Sequence, residues 1–233
     1  MSKISKREWL DCQKWEKESW GSDIYVTPTN GEVRKQNSYA VYMGLSEPED
    51  QLTLSASEGL NIDLGNKSVL DVGCGPVSML LRSSNFSRAV GVEPLDYGSD
   101  VNQAYSNQGI ELMRIPAEEM SFSALEFDEV WMYNVLQHTY DPEAILQNIK
   151  GVGKVLRIFE WIDTNVHKGH PQVMATSDFV RALDLDSHEF QVKTFNPVAT
   201  PGLSGKAIIV TKKLVTDEVF GHHYEGDRLV TED

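Results

Sequence analysis

The chain has 233 residues, and 21 Lys and Arg against 35 Asp and Glu leave a formal net charge of −14 and a pI near 4.8. A protein that neutralises many phosphates shows a basic face, whereas no basic run here exceeds a pair, so nucleic acid is excluded as the main partner. A hydrophobic share of 40% supports a packed core, and no stretch approaches the roughly 18 consecutive apolar residues of a membrane span.

Residues 1–10 are polar and charged instead of leader-like, which predicts a cytoplasmic protein with no membrane partner. Cys12 and Cys74 are the only thiols, and no Cys/His cluster has zinc spacing, so neither a disulfide nor a metal is expected. Residues 5–20 read as a helix with Ser5 and Glu8 as a capping box and Gly21 as its stop. Trp9, Cys12 and Trp15 share a face, and with Trp20 they anchor this helix on the domain; the alternative is a lid over the substrate. Residues 21–58, with turn formers at Pro28, Asn30, Gly31, Gly44 and Pro48, read as an irregular or short-helical approach segment.

The pattern changes at residues 68–72, a short apolar run that ends in Gly73-Cys74-Gly75, as a buried strand opening onto a glycine turn does. Val77, Met79, Leu80 and Leu81 predict a helix after the turn, and residues 89–93 a second strand. A helix over 101–109 precedes a third strand at 111–115, and a fourth follows at 127–133. Asp141-Pro142 supplies an N-cap and a first-turn proline for a helix whose apolar stripe is Ile145, Leu146 and Ile149, before a fifth strand at 154–159. Strands alternating with helices predict right-handed crossovers and a parallel sheet. Residues 189–196 and 206–212 have no helix signal between them and predict an antiparallel pair closing one edge. The organisation expected is an N-terminal helical or lid segment over 1–60, a main domain over 61–214 and an acidic tail over 215–233 that holds His222 and His223.

A glycine turn lets backbone approach a ligand where a Cβ would clash, and a helix starting there offers free N–H groups. Glu93 ends the next strand 20 residues after Gly73, where a carboxylate can accept the hydroxyls of a ribose. Strand, glycine turn, strand and acid together point to a nucleoside-containing ligand. A dinucleotide fingerprint wants Gly or Ala three residues after Gly75, and Ser78 stands there. Asp71 is placed to accept from the ammonium of a methionyl group, directly or through water.

Residues 69–75, 90–94, 116–120 and 134–138 with Asp141-Pro142 follow one another in an order that resembles the class I S-adenosylmethionine-dependent methyltransferases, in particular their small-molecule type. The resemblance implies an α/β Rossmann-like sheet of seven strands, the last antiparallel, and S-adenosylmethionine as cofactor. It implies that Asp71, Gly73, Cys74 and Gly75 line the methionine moiety, Glu93 the ribose, Pro94 and Leu95 the adenine, Ala117 and Glu118 the adenine edge, and Asn134 and Val135 the sulfonium. Three positions depart from the pattern: Val77 where glycine is common, Pro116 where Asp or Asn is common, and Gln137 in place of a common Glu.

The expected function is methyl transfer to the oxygen or nitrogen of a small polar or glycan-type acceptor; the alternative is a binding module that keeps the fold without turnover. A base is needed only where the acceptor must lose a proton. His138, after the fourth strand, and His167 and His170, after the fifth, are the candidates, each with a structural role as its alternative. An unperturbed histidine predicts activity that falls below about pH 6.5. Asp141 and Asn165 are too few for a magnesium site, and Asp141 is better explained as a helix cap.

Overall fold

The computed structural model describes residues 3–20, 30–52, 59–196 and 203–214; the acidic tail with His222 and His223, and the turn positions Gly21 and Pro28, lie outside them. Seven strands form one sheet: β1 (Ile62–Val72), β2 (Ser83–Val92), β3 (Glu111–Met113), β4 (Phe127–Tyr133), β5 (Gly153–Ile162), β6 (Phe190–Phe195) and β7 (Gly205–Lys213). Their order is β3-β2-β1-β4-β5-β7-β6, with β7 antiparallel to both neighbours and the other pairings parallel. The direction of winding reverses between β1 and β4, where Asp71 lies opposite Trp131 and Val72 opposite Met132. A crevice opens at the carboxyl ends of strands at such a reversal.

One face of the sheet is covered by α5 (Pro142–Ile149) and α6 (Thr176–Leu183), whose Ile145, Leu146, Ile149 and Phe179 are buried against Leu70, Val130, Met132 and Ile158. Asp141 caps α5 as expected, its Oδ1 accepting from Ala144 N at 3.2 Å, with Pro142 in the first turn. The other face carries α4 (Ser99–Asn107) through Val101 and Tyr105.

The helix expected after the glycine turn is absent. Residues 73–82 lead straight from β1 to β2, with only a 3₁₀ turn, Met79–Arg82, between them. A parallel crossover commonly takes a dozen or more residues and a helix; here Ser83 already pairs with Ile62, so β2 begins before a helix could propagate. Ser78 closes the turn by accepting Leu80 N at 2.9 Å, and Met79 and Leu80 are fully buried.

The sheet face beside that turn is covered by a helix from the approach segment, which is more regular than the sequence suggests. It holds α2 (Asn30–Tyr42) and a short α3 (Pro48–Leu52). Tyr39 and Met43 are fully buried in one cluster with Val69, Trp131 and Phe159. Arg157, on β5, ties α2 to the sheet: it donates to Met43 O at 2.7 Å and to Glu129 Oε2 at 2.9 Å. Glu129, 2% exposed, also accepts from Lys67 Nζ at 2.7 Å and Trp131 Nε1 at 2.9 Å. By contrast α1 (Lys6–Trp20), capped by Ser5 as expected, rests mainly on the loop after β4. No described helix is long and apolar enough to cross a membrane.

Breaking a buried ion pair on one side leaves an uncompensated charge, which costs about 3–5 kcal/mol. Arg157→Met should therefore lower the unfolding free energy measured by urea titration by that order, while Lys67→Met, whose side chain is half exposed, costs far less.

Candidate functional site

The reversal point between β1 and β4 opens into a cleft of about 800 Å³, counted with its mouth. Gly73 and Gly75 form its floor in left-handed conformations, φ 70° and 59°. A Cβ on Gly73 would come within 2.5 Å of the Val135 methyls, so only glycine passes under the β4 turn. A Cβ on Gly75 would meet no protein atom within 4 Å: that position looks into the cleft, and a side chain there would take up space open to a ligand. Cys74 contributes backbone only, since its sulfur packs into the core where a Cβ on Gly91 would lie 2.7 Å away, and burial pushes its thiol well above the ordinary range.

Glu93 reaches back to this floor. Its Oε2 accepts from Gly75 N at 3.1 Å and its Oε1 from Leu95 N at 2.9 Å, so one carboxylate holds both the glycine turn and the segment that follows β2. Burial pushes it up to about 7 despite those bonds and the nearby Arg114. Pro94, Leu95, Ala117, Glu118, Asn134 and Val135 line the same cleft. Glu118 is committed to the fold, its Oε1 accepting from Tyr140 N at 2.9 Å and Asp141 N at 3.1 Å. Asn134 turns the chain at the end of β4 with φ 59°, a conformation Asn tolerates.

Asp71 is placed differently from the expectation. It is fully buried and absent from the cleft wall; its Oδ2 accepts from Ser78 Oγ at 2.6 Å and from Tyr133 Oη at 2.7 Å, beneath the glycine turn. Tyr133 accepts in turn from Met79 N at 3.0 Å, so the N–H groups expected to be free at a helix start are used within the protein. Asp71 is pushed up to about 7 by burial, against its two hydroxyl donors.

The opposite wall comes from the N-terminal helices: Trp9, Gln13 and Glu16 of α1, and Glu32, Lys35 and Gln36 of α2. Sequence reasoning missed all of these but Trp9, because polar residues on a helix without a recognised partner look like a solvated face. Trp9 Nε1 and Gln13 Nε2 both donate to the carbonyl of His138, at 3.0 and 2.9 Å. Gln36 is 6% exposed and its Oε1 has no partner, a buried acceptor beside the cleft.

The three candidate histidines are brought together, but only His138 lines the cleft. His170 lies edge-on behind it with ring centroids 4.4 Å apart, and His167 lies 3.8 Å beyond His170 on the exposed side. Burial lowers His138 to about 4 and His170 to about 3, so both rings are neutral far below pH 6.5, and the expected activity loss near that value does not follow for either. Among the described residues no group of three or more His, Cys, Asp and Glu is arranged to hold a metal.

Glu160, inside β5, is a site residue with no sequence signal beyond its position in an apolar strand. Fully buried, it accepts from Val135 N at 2.8 Å and Leu136 N at 3.3 Å and so fixes the turn after β4. Burial pushes it up to about 8. Asp71, Glu93 and Glu160 thus hold protons in the folded state that their unfolded forms, with carboxyl pKa values of about 4, release. Their contribution is complete below about pH 4 and is lost as pH rises through about 7–8, whereas His138 and His170 lose theirs as pH falls below about 6.5. Above pH 6.5 only the acids act. Stability measured by urea unfolding should therefore fall between about pH 6.5 and 8.5, and Glu160→Gln, which keeps an acceptor oxygen, should flatten that slope.

Comparison with known proteins agrees with this geometry. Residues 70–155 match a family described as a methyltransferase domain. A ubiquinone biosynthesis O-methyltransferase of Pseudomonas fluorescens is 26% identical over 165 residues, 66% of this chain and 69% of the relative. The fold is that of Burkholderia thailandensis 1,6-didemethyltoxoflavin-N1-methyltransferase, whose structure holds S-adenosylhomocysteine, with a TM-score of 0.55 at 12% identity over 90% of each chain. A Thermotoga maritima methyltransferase described as a possible histamine N-methyltransferase follows at a TM-score of 0.50 and 14% identity, over 88% of this chain and 99% of that one. The glycine floor with Glu93 at the end of the second strand, at the reversal point of a 3-2-1-4-5-7-6 sheet, suits the nucleoside and methionyl parts of one ligand, and residues 70–155, which carry that floor, are similar to a methyltransferase domain of the class I S-adenosylmethionine-dependent type.

Proposed function

We propose that this protein moves a methyl group to an oxygen or nitrogen of a small polar or sugar-like acceptor, by in-line displacement, with His138 as the base where the acceptor must lose a proton. The observation that supports it is that one cleft joins the glycine floor and Glu93 to a wall of polar side chains from α1 and α2, with His138 between them. A sequence relative is named for O-methylation, and a structure with this fold for N-methylation.

In this reading the sulfonium of the cofactor supplies an electrophilic methyl group. Gly73 and Gly75 give the methionyl part backbone clearance, Glu93 turns its remaining lone pairs to the ribose, and Leu95 and Ala117 flank the base. Asp71, whose Oδ2 holds Ser78 and Tyr133 beneath the turn, supports the glycine floor from below. Trp9 and Gln13 exclude water by seating α1 on the His138 carbonyl. Orientation supplies most of the rate, and proton removal by a base adds about 10²–10⁴-fold.

Gly75→Val should abolish S-adenosylhomocysteine binding in calorimetry, and Glu93→Ala should weaken it by about 1.5–3 kcal/mol, the value of hydrogen bonds to a charged group. Folded variants of both that bind like the wild type would remove the donor site from this cleft. For the base, His138→Gln should keep donor affinity and lose turnover once an acceptor is identified. A wild-type profile limited by His138 should decline near pH 4, where burial has moved its titration, and not near 6.5. Full turnover by the variant would leave orientation alone as the source of rate.

A further inference from the structure

Which nitrogen of His138 can take a proton is decided by what each nitrogen faces. Nδ1 faces two oxygens, the Gly169 carbonyl at 2.9 Å and Glu16 Oε2 at 3.5 Å. A proton on Nδ1 satisfies both, while a lone pair there would be set against two acceptors. Nε2 faces the Gln137 amide nitrogen at 3.4 Å. That amide already donates to Asn134 Oδ1 at 2.8 Å and has a second N–H for the Nε2 lone pair, a long contact that an acceptor hydroxyl would displace.

The Gly169 carbonyl is itself held in place. His167 and His170 exchange both backbone hydrogen bonds, His167 N to His170 O at 3.1 Å and His170 N to His167 O at 2.9 Å, around a two-residue turn of Lys168 and Gly169. The Trp15 ring covers Gly169 so closely that a Cβ there would run into it. The His170 ring lies edge-on to His138, closing the remaining side.

We infer that the His167–His170 hairpin is a positioning device: through the Gly169 carbonyl it keeps the proton of His138 on Nδ1 and leaves the Nε2 lone pair for the acceptor, an inference that rests on His138 acting as the base. In the reaction the acceptor's O–H or N–H bond breaks and its proton goes to Nε2. The electron pair so freed forms the bond to the methyl carbon, and the carbon–sulfur pair stays on sulfur. The charge gained by the ring is met at Nδ1 by the Gly169 carbonyl and the Glu16 carboxylate. His167 and His170, candidates for the base from their loop position, are then positioning residues, and Gly169 is required because Trp15 leaves no room for a side chain.

The test is imidazole ¹⁵N spectroscopy of the full-length protein saturated with S-adenosylhomocysteine at pH 7, with the His138 signals assigned by their loss in His138→Gln. The wild type should show His138 neutral, with Nδ1 protonated and Nε2 bare. Gly169→Ala should convert this single tautomer to a mixture by pushing the hairpin off Trp15, and adding Trp15→Ala should restore the Nδ1–H form. S-adenosylhomocysteine affinity should stay unchanged throughout, since neither residue lines the cleft. A wild-type His138 protonated on Nε2 overturns the inference whatever the variants do, and would mean that the Asn134 and Gln137 amides are reversed. An unaltered tautomer in folded Gly169→Ala overturns it as well. Failure of the wild type to bind S-adenosylhomocysteine would instead refute the donor site, a separate result.

Discussion

Backbone N–H groups at the carboxyl ends of a parallel sheet run out of ladder partners where the chain turns away, and a buried donor left unpaired is costly. Here buried carboxylates meet much of that demand. Glu93 takes the amides of Gly75 and Leu95, and Glu160 takes those of Val135 and Leu136. Asp71 anchors Ser78 and Tyr133, whose oxygens in turn accept the amides of Leu80 and Met79. The floor of the cleft is thereby shaped before any ligand arrives. Its cost is electrostatic: all three acids lie in low dielectric, which pushes their proton affinities up toward neutrality.

The same economy explains the N-terminal helices. Because residues 73–82 hold only a 3₁₀ turn, the sheet face beside it is completed by α2, locked through Tyr39, Met43 and the Arg157 bond to Met43 O. Glu32, Lys35 and Gln36 are therefore presented to the cleft by an element as firmly seated as the strands. Seated less deeply, α1 is fastened where the loop after β4 passes. His138 is the point at which these parts meet: its carbonyl holds α1 through Trp9 and Gln13, and its ring meets the hairpin after β5.

Much of the fold and the glycine-turn side of the cleft were legible in the sequence. Apolar runs of strand length ending at Gly73 and at Glu93, and the Asp141-Pro142 start of α5, are local features whose backbone consequences hold almost regardless of context. Two glycines in left-handed conformation belong to the same class, since few other residues fit there. The helical wall of the cleft was not legible: Gln13, Glu16, Glu32, Lys35 and Gln36 carry no pattern that separates a cleft wall from a solvated helix face.

By itself, then, the sequence determined what depends on neighbours along the chain: strands, caps, the glycine turn and the family they jointly resemble. Tertiary structure alone decided what depends on partners distant in sequence. Ser78 and Tyr133 hold Asp71 beneath the glycine turn, off the cleft wall. An early start to β2 left no length for a helix after the glycine turn, although Val77, Met79, Leu80 and Leu81 would suit one. Of three similar histidines, packing put one in the cleft and two behind it, because side-chain direction and proton affinity are set by burial and by facing atoms, which spacing along a chain does not encode.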